Sequence, residues 1–386
     1  MTHFTPLRYH DGYLPIEDHG LIGDGITAAL VARDGSIPWL CVPRFDSRPL
    51  FCAILDAQDG GAFTIVPDDL VASRQYYIDG SGVLVTEMQG RQGLVRVTDA
   101  LTLRQGASLN EDVVAGRQEL LRRVEVLEGT VRLRVALQPY GPTEMERRGG
   151  GICLHCREHP DLDLHLISSL PLDGLRGSFD LEAGTRHHFL LEWHRRTLQR
   201  YQPFSPDDLI DQTVAAWHRW QDGLTYEGPR APLVRRSAIT LKMLDYMENG
   251  AIVAAPTSSL PEALGGPRNW DYRYAWLRDA AFAVYALNRI NLRDEERAFL
   301  GWVLDVAERD GRPRVLYTVD GTAPAPERED PSLEGYRRSA PVRWGNAAAD
   351  QRQHDVFGEV LDCAYQWMAR GGEIDAPLWE RLRPMV

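Results

Sequence analysis

The chain has 386 residues, of which 44% are hydrophobic and 25% are charged. These proportions are typical of a globular protein and exclude a disordered chain, which lacks the apolar surface needed to offset its conformational entropy. Asp and Glu number 55 against 43 Lys and Arg, and the formal net charge is −12. Because an acidic chain without a basic run repels phosphate backbones, we expect no nucleic-acid partner.

The sequence also lacks the usual signals for membrane insertion or export. No apolar run reaches the ~18 residues that span a membrane, and the first residues have neither a basic nor an apolar signal region. We therefore expect no membrane partner and a cytoplasmic location. The five cysteines are too few and odd in number for a disulfide scaffold. Cys153 and Cys156 have CxxC spacing, but no second pair completes a zinc site, so we expect no metal and no cofactor.

The first half of the chain alternates apolar and polar residues in short runs. Residues 94–98, 120–127 and 131–137 show this period of two, which is typical of antiparallel strands with one buried face. Glu128-Gly129-Thr130 between two of these runs predicts a hairpin turn. Further strands are predicted at residues 61–66, 75–78, 83–87, 152–155, 162–167 and 189–193. Many short strands divided by turn residues predict a β-sandwich over residues 1–204.

From Ser205 the apolar period becomes helical. Ser205-Pro206-Asp207-Asp208 supplies a capping serine, a proline at the first position and acids in the first turn, which predicts a linker helix within residues 205–230. Further helices are predicted at residues 231–249, 278–291, 294–309 and 350–369, and from residue 375. Helices joined by loops without strand alternation predict an all-α domain over residues 231–386.

Residues 268–279 form the densest unusual stretch. They include four aromatic residues, three arginines and two aspartates. Aromatic faces beside Arg and Asp are typical of a sugar site, because the ring covers the C–H face of the sugar while the charged groups bind its hydroxyls. The alternative is a buried Arg–Asp network that fixes a long loop against the domain. Composition alone leaves both interpretations open.

A second dense stretch, residues 334–359, also leads from a loop into a predicted helix. If residues 350–359 are helical, Gln351 and Asp355 lie on one face at i, i+4, with Glu359 nearby. This arrangement predicts a second wall of the same pocket. The alternative is a polar helix N-terminus with ordinary first-turn carboxylates.

Several motifs together resemble the bacterial members of glycoside hydrolase family 15, the glucoamylase, glucodextranase and trehalase-like group. They are IEDHGLIGD (16–24), ARDGSIPWLCVPRFDS (32–47), GAIVAAP (250–256), LPE (260–262), NWDYRYAWLRD (269–279) and GNAAADQRQHDVFGE (345–359). The resemblance covers nearly the whole chain. It implies an N-terminal β-sandwich (1–204), a helical linker (205–230) and the first part of an incomplete (α/α)6 barrel (231–386).

The same resemblance implies a glucose subsite. The residues that would line the position of the non-reducing glucose are Trp276, Arg278 and Asp279. The residues that would support this subsite are Asn269, Trp270, Asp271 and Arg273. The residues expected on the neighbouring wall are Asp350, Gln351, Asp355 and Glu359.

The implied reaction is hydrolysis of a terminal α-linked glucose, in trehalose or in α-glucan oligosaccharides, with inversion. Inversion needs a general acid and a general base ~6.5–9.5 Å apart, with a water between base and sugar. In the family both glutamates follow the part of the barrel present here, so we assign no catalytic residue to this chain and expect it to be truncated after Val386. One alternative is a carbohydrate-binding or regulatory protein without catalysis, and another is a purely structural module. The sequence gives no prediction of oligomeric state.

Overall fold

The computed structural model describes residues 3–110, 113–195 and 204–386. Up to residue 195 its regular elements are antiparallel strands, apart from one 3-10 turn, and the two halves together form a mixed β and α fold. The strands of the first part are β1 (His19–Gly23), β2 (Ala28–Ala32), β3 (Ser36–Ile37), β4 (Trp39–Cys41), β5 (Pro49–Phe51), β6 (Ala62–Pro67), β7 (Ala72–Tyr77), β8 (Leu84–Gln89), β9 (Gly93–Leu103), β10 (Gly116–Gln138), β11 (Thr143–Arg148), β12 (Gly151–Cys156), β13 (Leu162–Ser168), β14 (Arg176–Glu182) and β15 (Arg186–Arg195).

After residue 204 the described chain combines helices with short strand pairs. The helices are α1 (Pro206–Gln221), α2 (Ala231–Met243), α3 (Leu277–Arg289), α4 (Asp294–Asp310), α5 (Asp355–Ala369) and α6 (Ala376–Leu382). The antiparallel pairs are β16 (Asp245–Tyr246) with β17 (Ala251–Ile252), β18 (Ser258–Pro261) with β19 (Asn269–Asp271), β20 (Ala275–Trp276) with β21 (Leu316–Tyr317), and β22 (Arg328–Asp330) with β23 (Val342–Trp344). The 3-10 turns of the chain are Ile16–Asp18, Tyr336–Arg338, Ala347–Asp350 and Arg383–Met385. The expectation of helices and loops alone was therefore wrong for this half.

The large sheet has 11 strands, and its main path runs β11-β12-β13-β15-β10-β9-β8-β7. β1, β2, β4 and β5 form a separate four-stranded sheet. All pairs are antiparallel, and the predicted period of two matches the alternating burial along β10. The main apolar core lies against these strands, where Phe63 and Phe189 meet edge to face at 6.2 Å between ring centroids.

The predicted hairpin at residues 128–130 is wrong, because both flanking runs belong to the single strand β10. Before Gly129 this strand pairs with β9 and β15, and after it with β14 and β6. Gly129 has φ +66, and the register with β9 shifts between Val126 and Glu128. A bulge and one left-handed glycine bend a strand without reversing it. The strand therefore changes partners at Gly129 and continues in the same direction.

Helix α1 begins where the sequence predicts, with the Ser205 side chain accepting a hydrogen bond from the Asp208 amide. Helix α2 ends at Met243, earlier than predicted, because β16 and β17 follow it directly.

A buried ion-pair cluster joins α2 to α4 and α1. Lys242, the only lysine of the chain, lies 2.7 Å from Asp245 and 2.9 Å from Glu295. Glu295 also accepts a hydrogen bond of 2.8 Å from the Trp220 indole. A buried ammonium needs such partners, since an unpaired charge would be expensive to desolvate.

The first strands pack directly against the second half of the chain. The Trp39 indole donates to the carbonyl oxygen of Pro256 at 2.7 Å. The Tyr13 hydroxyl donates to Glu334 at 2.6 Å, and the Tyr13 ring meets Tyr336 at 5.4 Å between centroids. These contacts hold the extended segments around β18, β19 and β23 against the N-terminal part of the chain.

Helix α5 begins at Asp355 rather than at residue 350. Ala347–Asp350 is a 3-10 turn capped by Asn346, whose side chain accepts from the Ala348 amide. Gln351 then has extended backbone angles, which end the turn. Of the helices in the described ranges, none is long and apolar enough to cross a membrane.

Candidate functional site

The segment from residue 269 to residue 276 is largely extended, so successive side chains tend to point to opposite sides. Three inward positions are polar and at most 3% exposed: Asn269, Asp271 and Arg273. Of the four aromatic rings at the even positions, Trp270, Tyr272 and Trp276 remain half-buried, whereas Tyr274 is buried. One segment therefore supplies both a buried polar network and a row of rings that reach the surface.

Asp271 and Arg273 form a buried bidentate ion pair, with N···O distances of 2.9 and 2.7 Å. Asp271 also accepts from the Gly345 amide at 3.1 Å, and Arg273 donates to the Ser47 carbonyl oxygen at 2.5 Å. The Arg273 guanidinium lies 5.0 Å from the centre of the Trp344 ring. Asp271 and Arg273 therefore form the buried Arg–Asp network that was the alternative to a sugar site. This network connects β19 to β23 and to the N-terminal strands.

Asn269 and Trp270 add further contacts to this network. The Asn269 amide donates to the Ser339 carbonyl oxygen at 2.9 Å and is fully buried. The Trp270 indole donates to Glu262 at 3.2 Å, and the Arg343 guanidinium lies 4.7 Å from the centre of the Trp270 ring. These contacts fix the segment and leave Asn269 no contact with solvent.

Trp276, Arg278 and Asp279 lie together at the start of α3, on the exposed side. The Arg278 side chain is 38% exposed, and it pairs with Asp355 at 2.5 Å. The Trp276 ring lies 5.9 Å from Tyr272 between centroids. The Trp276 indole nitrogen is buried and has no hydrogen-bond partner within the described ranges. Asp279 is exposed in the first turn of α3.

Helix α5 places two carboxylates one turn apart beside Arg278. Burial raises the pKa of Glu359, as do the charges of Asp355 and Asp362, whereas Arg278 lowers it. Desolvation also raises the pKa of the Asp279 carboxyl, whereas the charge of the neighbouring Arg278 lowers it. The start of α3 and the start of α5 therefore combine one guanidinium with three carboxylates.

Gln353 connects these groups, although sequence reasoning missed it. Its amide oxygen accepts from Arg278 at 3.2 Å, and its amide nitrogen donates to Gln351 at 2.9 Å. Gln351 and Asp355 do not share a helical face, so the expected i, i+4 pair is wrong. Residues 351, 353 and 355 are instead spaced by two in the segment that leads into the helix, whose first residue is Asp355, and that spacing was the available signal. Asp350 is exposed at the end of the 3-10 turn.

This arrangement can bind a polyhydroxylated ring. An aromatic face covers C–H groups, while guanidinium and carboxylate groups bind hydroxyls through charge-assisted hydrogen bonds. Over residues 3–110, 113–195 and 204–386, no three His, Cys, Asp or Glu side chains are grouped so that they could hold a metal ion.

Two family models match the chain. Residues 228–386 match "Glycosyl hydrolases family 15", and residues 9–160 match "Trehalase-like, N-terminal". A protein of Thermoplasma volcanium named trehalase is 34% identical over 383 residues, which are 96% of this chain and 60% of that protein. A protein of Mycobacterium tuberculosis with the same name is 34% identical over 414 residues, covering 99% of this chain and 60% of the relative. The chain is therefore similar to glycosyl hydrolase family 15 over residues 228–386 and to proteins named trehalase over nearly its whole length.

A solved structure shares the fold of this chain. It is described as a bacterial glucoamylase complexed with acarbose, and the TM-score is 0.61 at 13% sequence identity. The match covers 99% of this chain and 59% of the glucoamylase chain. The chain likewise spans about 60% of the length of the curated relatives named above.

The predicted site residues of this chain separate into two groups. The buried or anchoring residues are Asn269, Trp270, Asp271 and Arg273. The residues at the exposed starts of α3 and α5 are Trp276, Arg278, Asp279, Gln351, Asp355 and Glu359. Asp350 is exposed and makes no hydrogen bond to the second group in the described structure. Gln353 joins that group.

Proposed function

We propose that this chain forms the glucose-binding part of a glycoside hydrolase that releases terminal α-linked glucose from trehalose or from α-glucan oligosaccharides. The observation that carries the proposal is the partly exposed group Trp276, Arg278 and Asp279 at the start of α3, with Asp355 and Glu359 beside it. The buried Asp–Arg network behind this group holds the extended segment, so the binding groups start from a fixed backbone.

The exposed ion pair leaves Arg278 available to a ligand. Surface pairs contribute only ~0.2–1 kcal/mol, so a sugar hydroxyl can replace part of the Arg278–Asp355 contact at small cost. Trp276 would cover the C–H face of the glucose, and Arg278 and Asp279 would bind its hydroxyls. Asp355, Glu359 and Gln351 would complete the wall, with Asp350 at its margin.

The names of the relatives support the class of substrate. The curated relatives are named trehalase, and the solved structure is a glucoamylase with acarbose bound. Trehalose and α-glucan ends both present a terminal α-linked glucose, and one subsite for that sugar serves either substrate. We propose inversion, which needs a carboxylic acid and a carboxylate base on opposite sides of the bond. We assign neither role to a residue of this chain.

We also propose a domain arrangement in which residues 1–204 form a β-sandwich, residues 205–230 a helical linker, and residues 231–386 part of an (α/α)6 barrel. Apolar side chains on α3 and α5 support the barrel, because a ring of helices would bury them against further helices. The exposed ones are Phe282, Tyr285, Tyr365 and Met368.

The test is a titration of the chain with glucose, in which binding is measured by calorimetry. Arg278→Ala should weaken glucose binding by about tenfold or more, because a charge-assisted hydrogen bond is worth ~1.5–3 kcal/mol. Arg289→Ala is the matched control, since Arg289 is exposed at the other end of the same helix. Equal binding by wild type and the Arg278 variant would overturn the subsite assignment. Absence of glucose binding by the wild type would favour a structural role for the whole cluster.

A further inference from the structure

The hairpin of β18 and β19 ends in a loop, residues 262–268, that is held to its neighbours. The Glu262 amide donates to the Arg268 carbonyl oxygen at 3.2 Å and closes the loop. The Gly265 amide donates to the Ser339 hydroxyl at 2.9 Å, which ties the tip of the loop to the segment before β23. The loop therefore presents its side chains from a fixed backbone.

An exposed ion pair crosses this loop and meets the Trp270 ring. Glu262 and Arg268 lie 2.9 Å apart, and their side chains are 40% and 70% exposed. The second carboxylate oxygen of Glu262 accepts from the Trp270 indole at 3.2 Å. A carboxylate, a guanidinium and an aromatic ring therefore meet at one surface position, outside the group at the starts of α3 and α5.

Arg343 supports the Trp270 ring from one side. Its guanidinium lies 4.7 Å from the ring centre and donates to the Pro267 carbonyl oxygen at 2.6 Å. The Arg343 backbone is fixed in turn by the Ser259 hydroxyl, which accepts from the Arg343 amide at 2.7 Å. The Trp270 ring itself remains only half-buried. Its position is thus fixed by the protein, while part of its surface stays open to solvent.

The rings of the extended segment connect this position to the proposed glucose position. Trp270 and Tyr272 are two residues apart in largely extended backbone, so their side chains point to one side about 6.6 Å apart along the chain. The Tyr272 ring lies 5.9 Å from the Trp276 ring between centroids. Burial raises the pKa of Tyr272, and the charges of Glu262 and Asp279 raise it further. Tyr272 therefore lies between the hairpin loop and the start of α3.

We propose that Trp270, Glu262 and Arg268 bind the second ring of an α-linked disaccharide whose terminal glucose lies at Trp276. This inference rests on the proposed function, because it places the second ring relative to that glucose. The Trp270 ring covers C–H groups of the second sugar, and Glu262 and Arg268 bind its hydroxyls.

The charge of this position suits a neutral ligand. One carboxylate and one guanidinium cancel each other, so the pair favours neither an anion nor a cation, whereas both groups form strong hydrogen bonds with hydroxyls. Because an exposed ion pair contributes little to stability, a sugar can replace part of the Glu262–Arg268 contact at small cost.

The experiment titrates the chain separately with glucose, trehalose and maltose, and binding is measured by calorimetry. The proteins are the wild type, Glu262→Ala/Arg268→Ala, Arg278→Ala and the control Glu380→Ala/Arg383→Ala. The control removes another exposed Glu–Arg pair with the same separation of 2.9 Å, at the end of α6. Both double substitutions leave the net charge unchanged. Equal melting temperatures for the four proteins establish that the variants are folded.

We expect at least one disaccharide to bind the wild type about tenfold more tightly than glucose, which corresponds to about 1.4 kcal/mol. The Glu262/Arg268 variant should bind that disaccharide about as weakly as glucose, with the Kd for glucose unchanged, and the control should behave as the wild type.

Two results would overturn the second sugar position and leave the glucose subsite standing. One is equal binding of glucose and both disaccharides by the wild type, and the other is tight disaccharide binding retained in the Glu262/Arg268 variant. Glucose binding that Arg278→Ala leaves unchanged would overturn the glucose subsite instead, so the two failures are distinguishable.

Discussion

The substitution Arg273→Ala would remove one partner of the buried pair behind the proposed site. The Arg273 side chain is 4% exposed and Asp271 is fully buried, so the remaining carboxylate would stay desolvated. Losing one partner of a buried ion pair costs ~3–5 kcal/mol. Arg273 also donates to the Ser47 carbonyl oxygen and covers the Trp344 ring, and both contacts would be lost.

The assay is thermal unfolding at one scan rate, because a chain of several domains need not unfold in two states. For a domain of 150–250 residues, a loss of about 3 kcal/mol lowers Tm by ~6–12 °C. Arg278→Ala is the control, since its exposed pair is worth only ~0.2–1 kcal/mol. Arg273→Lys keeps the charge without the bidentate geometry, and its loss should lie between the two.

Two results would refute this reasoning. One is Arg273→Ala with the Tm of the wild type, which would mean that the carboxylate of Asp271 is satisfied without its partner. The other is an equal fall in Tm for the Arg273 and Arg278 variants, which would remove the distinction between a buried support and an exposed binding group.

Three further predictions test individual parts of the fold. Burial raises the pKa of Asp24 from its usual 3.8 to about 6, so the folded chain favours the neutral carboxyl. The free energy of unfolding therefore falls by about 3 kcal/mol as pH rises through this interval. Asp24→Asn should remove that loss, and thermal melts from pH 4 to 7 would show a smaller fall in Tm than in the wild type. Gly129→Val should lower Tm strongly, because φ is +66 and a Cβ would collide with the Gln92 carbonyl oxygen. Gly106 has a similar φ, but a Cβ there would meet open space. Gly106→Ala should therefore lower the free energy of unfolding by only about 1 kcal/mol. Ser205→Ala removes the cap of α1 and should destabilise this helix by about 1 kcal/mol. The measurement is amide hydrogen exchange, which should become faster in the first turn of α1.

The strands could be predicted from alternation, but their partners could not. The runs at residues 120–127 and 131–137 were correctly identified as strand, and Glu128-Gly129-Thr130 was wrongly interpreted as a turn. A glycine between two alternating runs is the same local signal for a hairpin and for a bend within one strand. The difference lies in the partner strand β14, whose mostly polar sequence gave no prediction of a strand.

Composition located the site in the sequence, but it did not predict which of the site residues are buried and which are exposed. Arg273 and Arg278 are the same residue type five positions apart, yet one is buried beneath strands and the other begins a helix. The alternation through residues 269–273 contains part of this information, because polar residues at positions 269, 271 and 273 and rings at positions 270 and 272 predict two faces. The pattern ends at Tyr274, whose ring is buried. Gln353 was missed because a helix was expected to start at residue 350, which would have turned its side chain away from residues 351 and 355.

The most direct measurement is a crystal structure of the 386-residue chain grown with glucose. The account predicts a glucose ring against the Trp276 indole, with its hydroxyls bonded to Arg278 and Asp279 and the Asp271–Arg273 pair unchanged. Glucose bound only elsewhere, or an unliganded Arg278–Asp355 pair at saturating glucose, would contradict the claim that the start of α3 is the glucose subsite.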